Sequence, residues 1–139
     1  MENYRFLLAP VIAWLAAQGM KYLLTLRKDG AQLYDLVASG GMPSSHTATI
    51  VALSTAIFQE TGGASPLFAL SALVSFIVMY DAIGVRRTTG EQTQIIKKLS
   101  AKAGVSARPL HGARGHQPLE VAAGAVLGVA IGILLSVLA

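Results

Sequence analysis

The chain contains no cysteine, which excludes a disulfide-stapled secreted module and any thiolate metal or nucleophile site. Charge is scarce too: 13% of the 139 residues are charged, about half the roughly 25% usual in soluble domains. Hydrophobic residues reach 53%, and the mean hydropathy is +0.57. That balance excludes a disordered chain and argues against an ordinary water-soluble domain. The few charges sum to +4, with a pI near 9.7. A basic balance can signal nucleic acid. With so little charge and so much apolar sequence, an anionic membrane surface or an anionic substrate is the expected partner instead. The acids form no cluster that would hold magnesium, so neither metal nor cofactor is expected. The composition reads as a small integral membrane protein of one domain.

The apolar runs have membrane-crossing lengths. Phe6 to Leu26 is interrupted only by Gln18 and Lys21, and its 21 residues cross a hydrocarbon core of about 30 Å. A signal-peptide reading is possible because Arg5 precedes a stretch ending in Ala16-Ala17-Gln18. The apolar character resumes through Tyr22-Leu23-Leu24, so a retained span is preferred. A second run, 46–58, is short and reaches bilayer depth only if the polar start Pro43-Ser44-Ser45 sits within the protein. A third covers 66–85 with Asp81 as its one charge, and a fourth, 121–139, has none. The expected architecture is an all-α integral membrane protein, a bundle of about four transmembrane helices plus an amphipathic interfacial segment. Gly124, Gly128 and Gly132 form a doubled small-xxx-small pattern on the last helix. It implies close helix packing, either inside the bundle or in a homodimer through that face.

The basic link 86–115 holds seven of the eleven basic residues (Arg86, Arg87, Lys97, Lys98, Lys102, Arg108, Arg114) against one acid, Glu91. Within it Ile95, Ile96, Leu99 and Ala103 recur at helical spacing opposite Lys97, Lys98 and Lys102, as in a helix lying on anionic lipid headgroups. Four spans place this link and the 27–45 loop on one side. The positive-inside rule makes that side cytoplasmic in a bacterial-type cell membrane, with the termini outward.

Two histidines occupy corresponding places, His46 where the second helix begins and His116 just before the fourth. Ser44 or Ser45 can cap the one helix, and Pro118 suits the first position of the other. Both starts fall on the same face, so two histidines and two helix N-termini can converge with nearby Arg and Lys on a phosphate. Glu120 lies one turn after His116 and can accept its ring N–H, making the other nitrogen a better nucleophile. Asp81 can pair with Arg86 a turn later, as a functional intramembrane carboxylate or as a structural ion pair. A histidine at a helix start can equally be a cap or a solvated residue.

Pro43-Ser44-Ser45-His46 resembles the PSGH motif of the type-2 phosphatidic acid phosphatase and vanadium haloperoxidase superfamily. The stretch from Gly115 to Gly124 resembles its H-x-x-x-D motif with the small-residue helix that follows. With GGMPSSH and MYDAIGVRR, nearly the whole chain is similar to the divergent small-membrane branch of that superfamily. The resemblance implies that His116 attacks phosphorus and forms a phosphohistidine, oriented by Glu120. It implies that His46 protonates the leaving oxygen and then activates water. Arg86 or Arg87, with Lys21, would hold the phosphate oxygens beside Ser44 and Ser45. The chain departs from the superfamily pattern at Leu110 (an Arg there), Ser45 (a Gly) and Glu120 (an Asp), and its K-x6-R-P motif is imperfect, with Lys21 followed by Arg27 and then Lys28 and no Pro. His111 and Arg114 read as loop residues.

The expected function is therefore a membrane phosphatase acting on a lipid or isoprenoid phosphate monoester. The alternative is a non-catalytic anionic-lipid-binding or assembly protein that retains the phosphate pocket. A transporter is disfavoured because the spans lack paired broken helices.

Overall fold

A computed structural model of the chain describes residues 4–27, 41–105 and 117–138, the side chains of Arg86 and Arg87 excepted. They form five helices: α1 (Arg5–Leu26), α2 (Ser45–Thr61), α3 (Pro66–Ile83), α4 (Val85–Ala103) and α5 (Pro118–Leu138). Among the described residues there is no strand. Local signals set most of the boundaries. The Ser44 side chain caps α2 by accepting from Thr47 N at 3.4 Å, and Ser65 caps α3 with Pro66 following at its first position. Gly62, at φ 75°, ends α2 in a conformation that L side chains rarely adopt.

Three helical stretches are long and apolar enough to cross a membrane: Arg5–Leu26, the stretch beginning at Pro66, and Pro118–Leu138. The third expected span, 66–85, ends earlier than its apolar run. Its helix stops at Ile83, Gly84 takes φ −89° and ψ −80°, and α4 starts at Val85. The 17 residues of α2 measure about 25 Å, short of the hydrocarbon core. Its polar start is nevertheless inside the protein: Pro43 and Ser44 are fully buried and Ser45 almost so.

α2 is the hub of the bundle, packed against α1, α3 and α5. It runs antiparallel to α1, since Arg5 pairs with Glu60 at one end and Lys21 reaches Ser45 at the other. It is antiparallel to α3, where Ser54 and Ser71 share a hydrogen bond of 3.0 Å. α5 runs parallel to it. Small residues govern the two tightest seams. Ala9, Ala13 and Ala17 of α1 meet Ala48, Ala52 and Ala56 of α2 in a core joined by Ile131, and all six alanines are fully buried. On the other flank a Cβ at Gly124 would stand 2.4 Å from Ser44 O, and one at Gly128 would stand 2.6 Å from Ala48 O. At Gly132 it would stand 2.6 Å from Thr55 Cβ. Lipid tails are as apolar as leucine, so close backbone packing rather than the hydrophobic effect holds such helices together.

The glycine face is therefore occupied by α2 of the same chain. Of the two packings open to Gly124, Gly128 and Gly132 from sequence, the one inside the bundle is the one seen. The physical reason is that those glycines already stand at backbone contact distance from a neighbour.

Candidate active site

The alanine ladder of α1 continues at the same four-residue spacing from Ala17 to Lys21. Lys21 therefore faces α2 and is 6% exposed although it is charged. Its Nζ donates to Ser45 Oγ at 3.2 Å. Gln18, the other polar interruption of the first apolar run, is buried as well. Sequence reading placed Lys21 near the phosphate but missed that both residues point inward. The alanine spacing was the available signal.

The starts of α2 and α5 are joined directly, Ser44 N donating to Glu120 O at 2.9 Å. The close approach at Gly124, one turn further along α5, is what allows this. Ser44 serves the site as a cap: its Oγ accepts from Thr47 N and, at 3.0 Å, from Thr47 Oγ1. Thr47 is fully buried beside it, a supporting residue that sequence reading did not single out. Glu120 sits at the third position of α5, and its Oε2 accepts from Gln117 N at 3.0 Å. This is the return half of a capping box. Glu120 is also within electrostatic reach of Lys21.

Lys21, Ser44, Ser45 and Glu120 thus come from three helices to one end of the bundle. His46 stands exposed on the first turn of α2 at that end. The antiparallel course of α3 brings half-buried Asp81 and Gly84 to the same end. Arg86 and Arg87 lie in the first turn of α4, but their side chains, and hence the Asp81–Arg86 pair, are outside the described residues. So are His111, Arg114 and His116, although Gln117, the next residue after His116, is anchored to Glu120. Among the described residues no three His, Asp or Glu side chains group as a metal ion would need.

Chemically, this end offers a buried ammonium, a serine hydroxyl and two helix starts whose N–H groups and dipoles favour an anion. An ionisable side chain held at such depth in a membrane helix is costly to bury, which makes Lys21 a candidate site residue. Elsewhere, an apolar groove of about 510 Å³ runs along α2 between α3 and α5, with Val51, Phe58, Met79 and Val129 in its walls. It begins six residues past Ser45 on α2, about 9 Å deeper in the bundle.

No solved structure matches the chain. The uncharacterized membrane protein YuiD of Bacillus subtilis (strain 168) is 37% identical over 146 residues, covering 94% of this chain and 92% of the relative. The family model described as the Divergent PAP2 family matches residues 2–131, a stretch that takes in Lys21, the Pro43-Ser44-Ser45-His46 turn and the glycine helix as far as Ile131. This is an integral membrane protein, and it belongs to the Divergent PAP2 family.

Proposed function

We propose that the protein is a membrane phosphatase that hydrolyses a lipid or isoprenoid phosphate monoester through a phosphohistidine. The observation that carries this reading is the junction of the α2 and α5 starts, Ser44 N to Glu120 O, beside the buried Lys21–Ser45 contact. It makes one anion-favouring end out of three helices, with His46 on the first turn of α2 at that end.

In this reading a ring nitrogen of His116 attacks phosphorus, forming the N–P bond as the P–O ester bond breaks. His46 gives its proton to the leaving alkoxide. His46 then takes a proton from water, whose oxygen attacks the phosphohistidine and releases inorganic phosphate with His116 restored. Lys21, Arg86 and Arg87 balance the charge on the equatorial oxygens, which is the largest contribution expected in phosphoryl transfer. Glu120 steadies His116, with Ser44 holding the α2 start and Ser45 the lysine. The groove between α3 and α5 gives a hydrocarbon chain a place within the bundle. The basic link 86–115 puts the mouth on the cytoplasmic side.

The test is phosphate release by detergent-purified protein given phosphatidic acid, phosphatidylglycerophosphate and isoprenoid phosphates, with and without vanadate. Vanadate-sensitive release that disappears in His116→Ala is expected. Release that survives His116→Ala, or none from any substrate, removes the catalytic reading. Retained lipid-phosphate binding without release would instead establish a non-catalytic lipid-binding protein.

A further inference from the structure

Among the described residues α4 comes close to α3 and to no other helix, so most of its length stands away from the bundle. Its two sides differ in chemistry. Gln92, Ile96, Leu99 and Ala103 succeed one another at spacings of three and four, with Ile95 beside them. Ile95 is 57% exposed and Leu99 60%. Gln94, Lys97, Lys98 and Ala101 occupy the opposite side, flanked by Lys102. An apolar stripe left this bare needs a cover, and the lysines indicate what kind.

Position supplies the second argument. α4 leaves α3 at Gly84, at the end of a membrane-crossing helix and at the level of the Ser44–Glu120 junction. A crevice of about 450 Å³ marks this elbow, lined by Tyr80 of α3 and by Val85, Thr88, Thr89 and Gln92 of α4. Those four α4 residues, of which only Val85 is apolar, share the face that Ile96 and Leu99 continue. The face of α4 that becomes apolar therefore lies on the same flank as Tyr80, whose ring stacks near Phe76 on the bare side of α3. A tyrosine at this level is characteristic of the headgroup boundary.

We propose that α4 is an interfacial helix docked on the anionic lipid surface of its own membrane. Ile95, Ile96 and Leu99 enter the acyl boundary while Lys97, Lys98 and Lys102 meet lipid phosphates. The charge pattern commits the occupant to anionic lipid, because a purely apolar partner would leave the three lysines without counter-charge. This inference stands apart from the catalytic reading and does not need turnover.

The chain has no cysteine, so a thiol introduced anywhere is a unique label site. Full-length Ile96→Cys, Leu99→Cys, Gln94→Cys and Ala101→Cys proteins carry a nitroxide in bilayers of phosphatidylcholine with or without phosphatidylglycerol. Leu73→Cys, on the exposed face of α3, serves as the lipid-facing reference and as a check of folding. In anionic bilayers, labels at 96 and 99 should be accessible to lipid-dissolved oxygen and shielded from aqueous nickel, with 94 and 101 the reverse. Changing Lys97, Lys98 and Lys102 to Gln should lower the docked-to-undocked ratio about fivefold per lysine. Four positions equally open to nickel would overturn the proposal. So would labels at 96 and 99 immobilised and shielded from both reagents, the mark of a second copy or another protein on the stripe. Equal docking on neutral bilayers would overturn the anionic assignment.

Discussion

Lys21 is charged, almost wholly buried and bonded to Ser45, a combination that stability alone does not favour. Burying a charge carries a large desolvation cost, which an apolar side chain of similar volume does not have. Lys21→Met should therefore leave the thermal midpoint in detergent unchanged or raised. Phosphate release should fall by about a hundredfold, the size expected for losing one charge-stabilising donor. A parallel fall in stability and activity would make Lys21 a packing residue instead. Glu120 permits a similar separation. Gln at the third helical position can keep the bond to Gln117 N, whereas Ala cannot. Glu120→Gln should hold stability while slowing turnover, and Glu120→Ala should in addition lose about 1 kcal/mol of stability, read by chemical denaturation in detergent. Both residues were visible as candidates in the sequence. The Lys21–Ser45 contact was not, because the two residues lie 24 positions apart on different helices and spacing says nothing about such a contact.

Among the helices, α2 depends on small neighbours on both flanks. Gly128→Ala places a methyl group 2.6 Å from Ala48 O, a backbone atom that cannot swing aside. A loss of about 1–3 kcal/mol is expected from such overpacking, measured by thermal unfolding in detergent. Gly124→Ala drives its methyl at Ser44 O and should cost activity as well as stability, since Ser44 joins the two helix starts. Gly19 is the control: nothing stands within 4 Å of its Cβ position, and Gly19→Ala should gain about 0.5–1 kcal/mol from helix propensity. The glycine stripe announced close packing in the sequence. The alanine stripes of α1 and α2 carry the same four-residue signal but pass as ordinary apolar composition. The break at Gly84 was hidden for a related reason, since the apolar run continues through it to Val85.

For the whole molecule, the short central α2 is enclosed by α1, α3 and α5, with Arg5–Glu60 at one end and Lys21–Ser45 at the other. The positive-inside rule favours a cytoplasmic Lys21 end, and on that proposal a reporter fused after Ala139 should be found outside the cell membrane. A cytoplasmic reporter would reverse that orientation. The glycine face being filled within the chain, Gly128→Leu should unfold the protein rather than convert a dimer to a monomer, as light scattering in detergent would distinguish.

The sequence by itself determined the apolar spans, the helix starts near Ser44 or Ser45, at Pro66 and at Pro118, the two-sided character of α4 and the motifs that mark the family. These are properties of hydrophobic length, caps and periodicity, all set within a few turns of chain. The tertiary structure decided that the glycines face α2, that Lys21 points inward onto Ser45, and that Ser44 and Glu120 join two helix starts. Those outcomes depend on how three small-residue stripes fit together in space. That is a property of pairs of surfaces, not of any one segment.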